Sequence, residues 1–272
     1  DALTLHNCSV LLSESLRGVP DAWDLFVRRV EDSGYPPLIH YASLPFIFAF
    51  GKQTGPQASL VIYLVIMLCS TYGIAKIMAG SKAGLLAAGI VLLTPHIDAF
   101  SRIYLVDVPL TGILTMTIFL LLKSENFTRR GYTVLLGLSI CLGMITKQTF
   151  AFYAAFPVLF FSIVCMVRCK KEVRRPTMIN LALLLLLALA IPLIYYIPKL
   201  NIFWDEQIRF RSFLSEVKPY SYQFHRYLVM FAKTAAGPII TLGVIVGLFR
   251  NTSSRPYWVV VAWLVPPLFF LD

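Results

Sequence analysis

The sequence predicts an all-α, polytopic transmembrane helix bundle, and three observations carry that prediction. Of the 272 residues, 58% are hydrophobic and only 14% are charged, with a mean hydropathy of +0.74. Soluble domains are roughly a quarter charged; a chain this apolar could not cover itself with polar surface, whereas lipid solvates it directly. Apolar runs also recur at about the 17–25 residues that a membrane crossing requires. Finally, lysine and arginine gather in alternate loops, as membrane orientation demands.

Taken in order, about eight spans are predicted, near 57–79, 83–97, 106–122, 133–147, 149–167, 178–198, 229–249 and 257–271. Several contain Pro or Gly, which membrane helices tolerate. No polar stretch is long enough to form a second domain, so residues 1–272 read as one membrane domain. Within it, 1–56 is a first outer loop, 57–198 carries core helices, 199–228 is an outer juxtamembrane loop, and 229–272 holds the last helices. The first loop opens on an expected amphipathic helix, Ala2–Leu16, and the later loop contains an amphipathic stretch, Trp204–Phe213. No basic n-region with a short apolar run is visible. A start at Asp1 and a stop directly after Trp258–Leu271 read as the cut ends of a longer protein.

The loop Arg168–Arg175 holds five basic residues and one acid, which places it in the cytoplasm. Alternating outward brings Lys123–Tyr132 and Arg250–Arg255 to the same side. That side carries 12 of the 24 Lys/Arg but only 2 of the 14 acids, Glu125 and Glu172. The whole net charge of +10 therefore sits against anionic lipid, and no nucleic-acid partner is needed to explain it. Polar chemistry concentrates on the opposite, outer face.

Cys8, Cys69, Cys141, Cys165 and Cys169 show neither CxxC nor metal-ligand spacing, and three of them lie in predicted helices as apolar packing groups. The sequons at Asn7, Asn126 and Asn251 read as chance, since two fall on the cytoplasmic side. Dinucleotide-binding, phosphate-loop and zinc signatures are absent.

Four outer-face constellations can carry chemistry. In Ser101–Leu110, Asp107 opens an apolar helix with Pro109 two residues on, so the helix dipole stabilises its carboxylate. It reads either as an interfacial cap or as a general base or a carboxylate that orients one. Tyr35-Pro36-Pro37-Leu38 fixes an extended turn before a helix, and helix initiation alone would account for it. The small residues Gly137, Ser139, Cys141 and Gly143 permit close packing on a helix that ends in Thr146-Lys147. Lys147 breaks the charge bias of the loops; it either snorkels to headgroups or contacts a phosphate. Lastly, Asp1 and His6 share one short helix but not one face, so Asp1 is better placed to approach Asp107 across the outer cavity. Paired carboxylates there could divide base and orienting or metal-binding roles. His96 could join either arrangement or be a plain interfacial histidine.

In this order, the pieces resemble the GT-C glycosyltransferases that use polyprenyl-phosphate sugars, above all the lipid A aminoarabinose transferases and the protein O-mannosyltransferases. The resemblance rests on Asp1, on Pro36-Pro37-Leu38, on Arg102 with Asp107-Val108-Pro109-Leu110, and on Thr146-Lys147, over roughly residues 1–150. It departs at Gly34-Tyr35, where the family often has an acid and a lysine, and at Ala2, where a glutamate often follows the first aspartate. That second departure bears on a divalent cation, which some relatives hold in this loop.

The resemblance implies a membrane transferase acting at the outer face with inversion. The donor is a polyprenyl-phosphate sugar, and the acceptor a lipid, glycan or protein hydroxyl. Asp1 and Asp107 become the catalytic carboxylates, Lys147 and Arg102 the donor-phosphate contacts, and Tyr35, Pro36 and Pro37 the residues that shape the loop. His6 and His96 stay as further candidates. The competing readings are a transporter or lipid flippase, which would show inverted repeats and ionisable groups at the bilayer midplane, and a scaffold that tolerates loss of both carboxylates.

Overall fold

The computed structural model describes residues 2–33, 35–168 and 171–199, and every regular element among them is a helix. Helix α1 (Ala2–Ser15) places Leu5, Cys8 and Leu12 on one face. Cys8 and Leu12 pack against Phe26 and Val30 of α2 (Ala22–Ser33), while Leu5 packs on Ile39 and Leu60 of α3 (Leu38–Ala79).

Helix α3 is bent in two. Gly51 has φ 83° and ψ 171°, a conformation that glycine reaches without a steric penalty. The arms on either side, 38–50 and 52–79, fold back closely enough that a Cβ on Gly55 would lie 2.6 Å from the Ile47 nitrogen. The first arm thereby joins α1 and α2, and the second enters the bundle.

Gly80 then reverses the chain into α4 (Ser81–Leu92), which lies on α3 with Gly84 against Tyr72. Thr94-Pro95 ends that run and starts the short α5 (Pro95–Ser101). Helices α6 (Asp107–Lys123), α7 (Arg130–Met144), α8 (Phe150–Arg168) and α9 (Lys171–Tyr196) follow on short connections and so alternate in direction, ending in the 3₁₀ turn Ile197–Lys199. The core runs between α3, α6, α7, α8 and α9, with Ile118, Leu121 and Leu136 fully buried beside Phe161 and Leu184. Alternation brings Asp107, the α7–α8 turn and Tyr196 to one end of the bundle. Lys123, Arg129 and Arg130 stand at the other.

Three of the expected spans coincide with helices long and apolar enough to cross a membrane, within Leu38–Ala79, Phe150–Val167 and Arg174–Lys199. The expectation of about eight is not confirmed: six of those spans fall among the described residues, and three of the six coincide with helices of this length. Those predicted near 83–97, 106–122 and 133–147 form helices of 12, 17 and 15 residues, of which the 17-residue α6 stands at the lower end of the ~17–25 that cross a membrane. Each ends at a local signal: Thr94-Pro95 stops α4, the turn Glu125–Phe127 with three consecutive positive φ values stops α6, and the Ile145–Thr149 turn stops α7. The spans near 229–249 and 257–271, with the loop 199–228 beyond Lys199, lie outside the described residues.

Small residues set the helix spacing. A Cβ on Gly112 would stand 2.6 Å from the Tyr63 carbonyl oxygen, whereas one on Gly89 meets nothing within 4 Å. Gly112→Ala should therefore push α6 off α3 and destabilise by about 1–3 kcal/mol. Gly89→Ala should be neutral or stabilising by up to about 1 kcal/mol through helix propensity. Thermal unfolding of the two variants in detergent micelles checks the contrast; equal midpoints would contradict this packing.

Candidate functional site

Three of the four motifs singled out in the sequence meet at one end of the bundle. Helix α6 begins at Asp107 without a side-chain cap from Val106, and its first turn takes the carboxylate at the positive end of the helix dipole. Forty residues later, α7 ends and the chain turns through Thr146-Lys147-Gln148-Thr149 into α8. That turn is tight because Gly143 lies directly beneath the Phe150 ring, where a Cβ could not fit. Its amides are held as well: Thr146 and Lys147 N–H donate to the Gly143 carbonyl, and Phe150 N–H donates to the Lys147 carbonyl.

The result is an ion pair, Lys147 Nζ to Asp107 Oδ1 at 3.2 Å. Lys147 is the more enclosed partner, 23% exposed against 46% for Asp107. A pair this open contributes at most about 1 kcal/mol to stability, so its consequence is placement of the ammonium. The Tyr35 ring reinforces that placement, with Nζ 5.8 Å from its centroid. Pro36-Pro37 carries the tyrosine there, and the Leu38 N–H donates to the Ile145 carbonyl at 3.4 Å, fastening the Pro-Pro turn to the turn that bears Lys147. Tyr35, Pro36, Pro37, Asp107 and Lys147 are therefore one assembly. The end of α9 reaches it too, where the Tyr196 hydroxyl donates to the Met144 carbonyl at 2.7 Å.

Other expected residues lie apart. Arg102 is 75% exposed and forks onto Asp98 one turn earlier on α5, at 2.9–3.1 Å. An Asp four residues before an Arg was the sequence signal for that local pair. His6 stands edge-on to Tyr104, centroids 6.5 Å apart. Asp1 lies outside the described residues, as does the side chain of His96. No three His, Cys, Asp or Glu side chains converge among the described residues in a way that would hold a metal ion.

Sequence reasoning missed a buried polar group beside this assembly. Ser9 Oγ lies 2.8 Å from His40 Nδ1 and 2.9 Å from the Tyr104 hydroxyl, which itself donates to the Ile39 carbonyl at 2.9 Å. All three side chains are at most 2% exposed. Burial pushes the Tyr104 phenol above its ordinary range, so it remains protonated and able to donate. Ser9 is also the serine of the Asn7-Cys8-Ser9 sequon.

Among the described residues every regular element is a helix and three helices are apolar and of membrane-crossing length, which makes this an integral membrane protein. The model of the dolichyl-phosphate-mannose-protein mannosyltransferase family matches residues 36–196, more than half of the sequence, and the chain belongs to that family. The matched region runs from Pro36 to Tyr196 and includes Pro37, Arg102, Asp107 and Lys147. The family makes the protein a mannosyltransferase-like membrane glycosyltransferase. No curated protein and no solved structure matches the chain.

Proposed function

We propose that the protein transfers a sugar from a polyprenyl-phosphate donor to a hydroxyl of a lipid, glycan or protein at the non-cytoplasmic face of the membrane. The observation that carries this reading is the Lys147–Asp107 pair, set beneath Tyr35 where the Pro-Pro turn meets the α7–α8 turn. A lipid-linked donor needs its phosphate held at a helix end near the interface, with its tail among apolar helices. Lys147 supplies a cation at such an end, and the exposed apolar side chains of α8 and α9 supply the surroundings.

In the reaction, the acceptor oxygen attacks the anomeric carbon as the bond from that carbon to the phosphate oxygen breaks, inverting the configuration. Negative charge grows on the departing phosphate, and Lys147 stabilises it more in the transition state than in the bound donor. The acceptor proton passes to a carboxylate. Asp107 is committed to Lys147, so it acts as a positioning residue, and Asp1 is assigned the proton. The Pro-Pro turn shapes the loop above the site. The outer location is supported by charge: the end opposite the pair carries Lys123, Arg129 and Arg130.

The test uses membranes carrying the full-length gene product, supplied with labelled polyprenyl-phosphate sugars. Wild type should transfer label to an endogenous acceptor. Asp107→Asn, which keeps shape but frees the ammonium, should lower kcat/KM about tenfold, as expected when one charge-assisted contact is lost. Transfer undiminished in Asp107→Asn would take the pair out of the site.

A further inference from the structure

The buried contacts Ser9–His40, Ser9–Tyr104 and Tyr104–Ile39 span 2.8, 2.9 and 2.9 Å. A hydrogen bond needs a proton in each. Ser9 and Tyr104 bring one each, so the third must come from His40. If the neutral imidazole carried its proton on Nε2, three contacts would share two protons, and Nε2, which has no hydrogen-bond partner, would be a buried unsatisfied donor. With the proton on Nδ1, the three shortest contacts are satisfied in one direction: His40 Nδ1–H to Ser9 Oγ, Ser9 O–H to the Tyr104 oxygen, Tyr104 O–H to the Ile39 carbonyl; only the longer approach of Ser9 Oγ to the Leu5 carbonyl of its own helix, at 3.2 Å, is then without a proton. Only a lone pair is then left at Nε2, while the Phe26 ring stands edge-to-face with the imidazole, centroids 5.9 Å apart.

We infer that His40, as the Nδ1–H tautomer, and Tyr104 are positioning residues for the transfer reaction, clamping together the three segments that carry the site. Ser9 stands on α1, the helix that follows Asp1. His40 stands three residues after Pro37. Tyr104 stands three residues before Asp107, with Val106 buried between them in the cluster of Leu5, Ile39 and Leu60. Apolar side chains would fill this space with no unsatisfied nitrogen, so packing alone does not call for a directional chain of three hydrogen bonds. What the chain adds is register: 31 and 95 residues separate Ser9 from its partners, and a slip of any segment breaks a bond.

This inference rests on the transfer reading above, and its test separates the two. The Asn side-chain amide places its N–H where Nδ1 lies, whereas the longer Gln places it where Nε2 lies. In the full-length gene product, His40→Asn should keep transfer within about threefold of wild type. His40→Gln and Tyr104→Phe should each lose about tenfold or more, because misplacement of about 1 Å can cost 10²-fold. A filler role predicts the opposite order for Asn and Gln, since Gln is nearer to His in volume, and predicts no loss for Tyr104→Phe. Equal activity of the two His40 variants, or wild-type transfer by Tyr104→Phe, would overturn the clamp. ¹⁵N spectra of histidine-labelled protein at neutral pH should show His40 protonated at Nδ1; protonation at Nε2 overturns the assignment whether or not the protein transfers sugar. A wild type that transfers nothing removes the transfer reading, and the spectra still decide the tautomer.

Discussion

Membranes carrying Lys147→Met should transfer sugar about 100- to 1,000-fold more slowly than wild type, the cost of removing one preorganised group that stabilises charge on a leaving oxygen. Methionine retains most of the apolar stem but removes the ammonium that stands 3.2 Å from Asp107 and 5.8 Å from the Tyr35 ring centroid. The loss should fall chiefly on kcat, because the phosphate gains charge as the bond to the anomeric carbon breaks. Lys147→Arg should recover part of the activity, limited because a planar fork does not replace a compact point charge. Single-turnover transfer with saturating donor separates the two terms; an unchanged kcat with a raised KM would make Lys147 a ground-state contact instead. Stability should change little, since an exposed pair of this kind contributes at most about 1 kcal/mol.

The second large effect is expected at Asp1. With Asp107 engaged by Lys147, the acceptor proton needs another carboxylate, and Asp1 directly precedes the helix whose Leu5 and Ser9 dock on Ile39, His40 and Tyr104. Asp1→Asn should lower kcat by about 10²–10⁴, the usual contribution of a general base. Donor affinity should be unaffected, which can be read as unchanged binding of a labelled polyprenyl-phosphate sugar to the variant. Wild-type kcat in Asp1→Asn would assign the proton to a different group.

How far the sequence alone reached can be judged residue by residue. The start of α6 at Asp107, the Pro-Pro entry to α3 and the small-residue path along α7 were legible, because caps, prolines and glycines act within one turn. Gly143 illustrates the limit: its smallness signalled close packing, but only the fold shows Phe150 as the neighbour and the Lys147 turn as the consequence. The span count is unconfirmed where a breaker lies inside an apolar run. Hydropathy averages over Thr94-Pro95, which ends α4 inside the run 83–97, while backbone geometry does not.

Arg102 was read through its motif toward a phosphate, although Asp98 four residues earlier offered a nearer partner. The His40 clamp was beyond reach for a different reason. Ser9, His40 and Tyr104 are ordinary residues in three separate segments, and no local rule brings them together. Tertiary packing of α1 on the first arm of α3 does so, and that arm exists as a separate unit because Gly51 bends the helix.

The most direct test of the central claim is sugar transfer by full-length wild type and Lys147→Met in parallel membranes, across a panel of labelled polyprenyl-phosphate sugars. Label reaching an acceptor in wild type and falling at least about 100-fold in Lys147→Met is the predicted result. Equal transfer by both proteins, or no transfer from any donor by wild type, would contradict it.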